Sequence, residues 1–385
     1  MGKAPVSVRL FLTVLAFLTA LTPTGVDAVE FAIVGPRAAG MGGAGVATTT
    51  DALATYWNPA GLAMSKNADI RVQGTGHGID RLGVMDTLDD IDNFDRSDTS
   101  AANQARLQAL ADRLNQPGAS LSAIAAGGAY FKGFFGNSAF GFNVSDIATG
   151  GAFLTSPVGV TNTGSTLNVN GQYAVRALEA RQAAFSYAHA FFDRVLAIGV
   201  TAKIMQGAAY AGQIGVLNAN STSAFKDALG KAEISSAFGI DVGAVFRPTS
   251  WLRMGIVGKD LNEPTFDTPG GGEIKLGPQV RGGIAINPYS RSSLTLTFDA
   301  DITSNRTLVP GQKSRYFSAG VEQTFFSELI SLRFGALKNV EDAKSIVTPT
   351  AGIGIRIFAL RVDVGGGYDF REGQALASGS VSMTF

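Results

Sequence analysis

Three groups of residues in this chain have the types and spacing to do chemistry. Gly40-Met41-Gly42-Gly43-Ala44-Gly45 has the form G-x-G-x-x-G, the pattern with which a strand-to-helix turn presents backbone amides to a dinucleotide pyrophosphate. That use requires a strand before the glycines, a helix after them and a βαβ unit around both. Here Asn58-Pro59 interrupts any long helix, and antiparallel alternation follows, so the glycines serve backbone geometry instead. His77, with a serine or aspartate on neighbouring strands, would be the base of a hydrolase, but no serine motif accompanies it. The acidic run from Asp86 to Asp98 offers carboxylates to a divalent cation, yet its spacing fits no calcium loop and a solvated segment explains it better.

Composition narrows the choice further. The chain contains no cysteine and only two histidines, which excludes disulfides, thiol nucleophiles and zinc–thiolate sites and leaves no histidine-rich metal site. Lys+Arg and Asp+Glu both total 31, so no net field draws nucleic acid. Neither a catalytic nor a metal residue is expected, nor any cofactor. Hydrophobic residues make up 45% and charged ones 16%, below the roughly 25% charged of soluble domains, while 48 glycines far exceed the usual share of about 7%.

The first 28 residues have the layout of an export signal. Lys3 and Arg9 are basic, Leu10 to Leu21 form a short apolar core, and Val26-Asp27-Ala28 ends on a small residue. The core is too short for a membrane helix, which needs about 20 apolar residues. The mature chain is therefore expected to begin near Val29, outside the cytoplasm.

What must position everything else is a period of two. Leu294, Leu296, Phe298, Ala300 and Ile302 alternate with Thr295, Thr297, Asp299, Asp301 and Thr303. Leu196–Ile204, Ile240–Phe246 and Leu360–Val364 behave alike, and Gly379 to Phe385 carries the pattern to the last residue. Each segment is about ten residues long, which matches the 9–11 residues with which a tilted strand crosses a bilayer. Short links (around Gly133–Asn137, Asp193, Arg247–Ser250, Asn287–Ser290, Phe326–Glu328 and Phe358) take turns with long ones. The long ones lie around Gly78–Gly118, Asp146–Gly171, Ala209–Lys231, Leu261–Glu273, Ser304–Ser314 and Asn339–Ser345, with a shorter link at Arg371–Gln374. The spacing predicts an all-β transmembrane antiparallel barrel of about 14 strands over residues 67–385, with short periplasmic turns and long extracellular loops. Within the first long loop, Leu107, Leu110 and Leu114 have helical spacing and predict a helical insertion over part of the barrel mouth. Arg71, Arg253, Arg281, Arg333, Arg356, Arg361, Asp241, Asp299, Asp301 and Asp363 all share parity with the polar face, as a wet interior requires.

The segment R-A-x-G-M-G-G-A-x-V-A, then D-x-x-A-x-Y-W-N-P-A-G-L-A, resembles the N-terminus of the FadL/OMPP1/TodX superfamily of outer-membrane transporters. Within it, the chain is most similar to the conjugal-transfer TraF-like branch, with PorV-type barrels as a further relative. The branch name is shared with a thioredoxin-like plasmid protein, whose chemistry the lack of cysteine rules out here.

The resemblance implies that residues 29–66 fold into the lumen as a hatch, with Gly40, Gly42, Gly43, Asn58, Pro59 and Ala60 as its motif. Tyr56 and Trp57 would fill the bore, and Arg71, Arg253 or Arg281 would meet the head of a ligand. It also implies a location in the bacterial outer membrane. Phe385 would be the signal for barrel-assembly machinery, and the function passive transport of a hydrophobic small molecule such as a fatty acid or hydrocarbon. A structural or partner-binding barrel serving conjugal transfer or secretion is the competing expectation.

Overall fold

A computed structural model describes residues 7–8, 11–13, 16, 29–219, 221–288, 293–369 and 373–385. The expected export signal therefore lies mostly outside the described residues, as do parts of the Asn287–Ser290 and Arg371–Gln374 links.

Fourteen strands form one closed barrel. In chain order they are Asp69–Arg81 (β1), Ser120–Phe135 (β2), Ser138–Asn162 (β3), Leu167–Phe191 (β4), Leu196–Gly215 (β5), Glu233–Phe246 (β6) and Leu252–Lys259 (β7). Then follow Gln279–Ile286 (β8), Leu294–Asp301 (β9), Tyr316–Phe325 (β10), Ile330–Asn339 (β11), Thr348–Ile357 (β12), Leu360–Tyr368 (β13) and Ala375–Thr384 (β14). Each strand pairs antiparallel with its sequence neighbour, and β14 closes on β1 from Asp69↔Thr384 to Gly78↔Ala375. Closure leaves no strand edge with unpaired backbone groups in hydrocarbon. Beyond the last strand, the backbones of Phe385 and Ala68 exchange hydrogen bonds of 2.9 and 3.0 Å.

Alternation sorts the side chains as the sequence predicts. On β1, Asp69, Arg71 and Gln73 are buried while Ile70 and Val72 face outward. Phe298, Phe317, Phe334, Ile353, Val362 and Val381 continue the apolar outer face around the barrel. Among the described residues, no helix is long and apolar enough to cross a membrane.

Two features depart from the expected pattern. First, β3 and β4 run for 25 residues each, far longer than a crossing needs, and raise one wall beyond the rest. Much of the expected loop at Asp146–Gly171 is thus strand. Its glycines and polar residues break the apolar alternation, but the pairing Asn162↔Leu167 still closes its tip. This wall carries Asp146, Arg181 and Glu179 on its outward side, with Arg181 Nε 3.3 Å from Asp146 and 2.9 Å from Glu179.

Second, the first long loop holds two helices, Val84–Asp92 and Ala101–Leu114. Sequence spacing identifies only the second. The first begins where Asp80 accepts hydrogen bonds from the amides of Val84 and Met85, and Leu88 and Ile91 supply its apolar side. Both helices pack with Ala152, Tyr173 and Val175, residues of outward parity on the tall wall, so they flank the barrel rather than lie across its bore. Among the described residues, no group of three or more acidic or histidine side chains is placed to hold a metal ion.

Candidate functional site: the lumen and its N-terminal segment

Residues 30–64 are buried almost throughout, and their partners are the inward residues of the strands. The segment consists of short helices, Pro36–Gly40, Ala54–Trp57 and the 3₁₀ turn Pro59–Met64, joined by glycine-rich turns. Close approach explains the glycines. A Cβ on Gly42, whose φ is +70°, would stand 2.2 Å from the Ala336 carbonyl oxygen on β11, and one on Gly45 would strike the Trp57 ring. The barrel reciprocates, since a Cβ on Gly335 would meet the Met41–Gly42 backbone at 2.5 Å. Gly40 lies against Gly352, and Gly43 sits beside Ser318.

Hydrogen bonds fix the segment at several points. Asp299 accepts from the amides of Gly45 and Val46 at 2.7 and 2.8 Å, and Thr350 Oγ1 accepts from Gly42 N at 2.9 Å. Asn58 donates through Nδ2 to the carbonyls of Val46, Ala244 and Ile256, while its Oδ1 accepts from Ala60 N and sets the turn at Pro59. Tyr56 and Trp57 are both buried within the barrel. Trp57 is fully buried and donates Nε1–H to Val34 O, and Tyr56 donates to Ala32 O. With Phe31 they form a cluster whose ring centroids are 5.4 to 5.9 Å apart.

A second set of anchors is ionic. Arg37 pairs with Glu322 at 2.7 Å, Glu322 also takes Arg333, and Arg333 reaches Asp363. Asp51 pairs with Arg71 at 3.0 Å. Burial alone would raise the Asp51 carboxyl, but Arg71 and Arg37 outweigh it and hold that carboxyl below the usual range. Glu30 shows the opposite balance: burial raises it despite the attraction of Arg81, and its Oε2 has no hydrogen-bond partner among the described residues.

Of the three arginines proposed from sequence to meet a ligand, Arg71 is committed to Asp51, Asp69 and Asp363. Arg281 lies 3.4 Å from Asp301, donates to Ser318 and stands over Phe31 at 5.0 Å. Arg253 donates to Ala47 O, and among the described residues no carboxylate lies within ion-pair distance of it. His77 Nε2 lies 2.7 Å from the side-chain amide of Gln374. On the long-loop side, the apolar residues Leu154, Val158, Val160, Ile214, Val216 and Leu217 pack against one another and the two helices, while Phe153 lies under Arg176.

The segment divides two cavities. On the short-turn side a polar one of 320 Å³ is lined by Arg37, Asp51, Arg71, Arg253, Glu322 and Asp363, among others. On the long-loop side a cavity of only 60 Å³ lies between Val29, Glu30, Ala32, Tyr56 and the inner face of β3–β8. It is roofed by Leu276, next to the inward-folded hairpin of Thr265–Thr268 and Gly272–Lys275, whose Phe266 is buried with Leu178 and Met205. Lys203 bridges Asp241 and Asp260 there at 2.7 and 2.6 Å. Lys259 also lines this cavity. Sequence reading missed it because its only signal, inward parity at the end of β7, is shared by many residues.

A fourteen-stranded closed antiparallel barrel with its N-terminal segment buried inside defines a class by architecture, the plugged β-barrel. By fold the chain is similar to the toluene transporter TbuX of Ralstonia pickettii, with 14% identity, TM-score 0.53, and 94% of this chain and 98% of that one covered. It is likewise similar to the monoaromatic hydrocarbon channel CymD, with 14% identity, TM-score 0.55, and 93% and 98% covered. The toluene transporter TodX of Pseudomonas putida matches with 9% identity, TM-score 0.51, and 94% and 99% covered. A family model described as "F plasmid transfer operon, TraF, protein" matches residues 55–301, and the chain belongs to that family. No curated protein matches it.

Proposed function

We propose that this protein is a passive outer-membrane channel for hydrophobic small molecules, with the N-terminal segment as its gate. The observation that carries this reading is the construction of the seal. The segment touches the wall through backbone-to-backbone glycine contacts and a limited set of side-chain anchors, a contact that slides more readily than an interdigitated core. Its long-loop side faces apolar Ile147, Leu178, Met205 and Leu276. The solved barrels it matches in fold are described as toluene transporters and monoaromatic hydrocarbon channels, which supports the same substrate class here. In this reading the long loops face the medium, the short turns face the periplasm, and Phe385 at the short-turn rim is read by assembly machinery.

The test is uptake of labelled toluene and oleate into liposomes bearing the full chain, compared with a variant lacking residues 29–66. Faster entry than in empty vesicles is expected, and faster still for the deletion. Entry equal to empty vesicles in both would remove the proposal.

The raised β3–β4 wall and its helices favour a second role, docking of a partner in plasmid transfer, which the family description supports. Deleting residues 84–116 separates the two, since it should spare uptake and impair transfer.

A further inference from the structure

The outer face of the tall wall is clothed above the apolar belt. The two helices of the first long loop pack on it, and so does the helix Thr222–Asp227, whose Phe225 meets Tyr173 edge-on with ring centroids 6.0 Å apart. Beneath this covering a groove of 420 Å³ stays open. Register puts its floor on the outside of the barrel. Ile70 and Val72 face outward on β1, so Gly78 and Asp80 do too. Pairing carries that face from Gly78 to Ala123, Gly150 and Ala177 on one side and to Ala375 on the other. Leu121, Val175, Met85, Phe225 and Leu229 form the sides.

The floor is built of small residues that the fold itself does not require. A Cβ on Gly78 would meet nothing within 4 Å, and one on Gly150 would make only ordinary contacts at 3.5 and 3.6 Å. Glycine inside a strand weakens it and is expected where something beyond the sheet approaches closely. The height of the groove says what approaches. Gly78 lies nine residues beyond Asp69, where β1 begins (78 − 69), and Ala375 nine before Thr384, where β14 ends (384 − 375). A strand crosses hydrocarbon in about 9–11 residues, so the groove opens where the apolar belt ends and is continuous with it. Its volume falls within the roughly 300–1,000 Å³ of pockets that hold small ligands. Asp80 spends both carboxylate oxygens on the amides of Val84 and Met85. Lys226 also lines the groove, is exposed, and has no carboxylate within ion-pair distance among the described residues.

We infer that this groove seats one acyl chain of a lipid from the leaflet on the long-loop side, with the lipid's phosphate at Lys226. An apolar trough left open to water is unfavourable, and a chain from the adjoining leaflet fills it without leaving the membrane. The seat lies outside the barrel, so its lipid is a resident of the wall and not cargo, whatever passes through the lumen.

Photolabelling of the full chain in phosphatidylcholine vesicles tests this. The probe is phosphatidylglycerol with a diazirine near the end of one acyl chain, present as a minor component, and labelled residues are mapped by mass spectrometry. Labelling of Leu121, Phe225 and Leu229 is expected to exceed that of the belt residues Phe298 and Phe334 severalfold. Gly78→Leu combined with Ala123→Leu fills the groove and should remove the excess while belt labelling stays as it was. A phosphatidylcholine probe with the same chain should label the groove about fivefold less, the worth of one lysine beside an anionic head, and Lys226→Gln should erase that difference.

Even labelling of groove and belt in the natural chain overturns the seat whether or not a variant folds, and so does an excess that survives in the filled groove. Equal labelling by the two heads, or a difference that persists in Lys226→Gln, overturns the part given to Lys226.

Discussion

Arg37 and Glu322, separated by 285 positions in the chain, meet at 2.7 Å inside the barrel. Glu322 holds Arg333 at 2.6 Å as well, so one carboxylate ties the N-terminal segment to the wall and braces β10 against β11. Glu322 is 7% exposed, whereas Arg37 remains 25% exposed. Glu322→Gln is therefore expected to cost about 3 kcal/mol or more, because it leaves two guanidinium groups short of a partner. Arg37→Met should cost less. Thermal unfolding in detergent measures both, and the double variant should show strong non-additivity. Equal, additive losses would contradict the shared-carboxylate picture.

Gly42 tests the seal. Its φ of +70° and the 2.2 Å approach of a Cβ to Ala336 O leave no room for a side chain. Gly42→Val should dislodge the segment while the barrel, whose strands it does not belong to, stays folded. Conductance in planar bilayers should rise severalfold over the natural chain. An unchanged current would mean that the segment does not close the pore.

Glu30 predicts a pH dependence. Its carboxyl is raised by burial, so the protonated form is the one the fold prefers. Such a group contributes stability that is complete below the unfolded value, about 4.3, and is lost as pH rises through the higher folded value. Glu30→Gln should thus raise the melting temperature at pH 7.5 and leave it nearly unchanged at pH 4. A loss of stability at pH 7.5 would show that the ionised form makes interactions worth more than its desolvation.

The outer face offers a contrast between two positions. Phe334 is 59% exposed in the middle of the apolar belt, and Phe334→Arg should cost about 2–4 kcal/mol of folding in a bilayer. Arg181 is 67% exposed on the tall wall and bound to Asp146 and Glu179, so Arg181→Leu should alter folding much less. Urea titration in vesicles decides. A similar large loss at both sites would place the tall wall within hydrocarbon.

Much of this architecture was legible in the chain itself. Leu294 to Thr303 reads as a strand with polar residues inward because neighbours on a strand must face opposite ways, a constraint set by covalent geometry. The same rule put Arg71, Arg281 and Asp299 in the interior before any contact was known. It failed at Asp146–Gly171, where small and polar residues erase the apolar signal although the backbone still pairs. It also failed for the first helix, whose acidic face resembles a solvated loop until Leu88 and Ile91 find Tyr173 and Val175.

Local pattern determined the strands, their faces and the glycine-rich segment that cannot be one of them. Only the closed barrel decided the partnerships: Arg71 with Asp51, Arg37 with Glu322, Lys203 with Asp241 and Asp260, and Lys259 with the rings of Tyr56 and Phe31. The physical reason is that parity says which way a side chain points, while the register of fourteen strands and the path of the segment say what it meets. Inside the barrel, that meeting fixes which buried charge balances which.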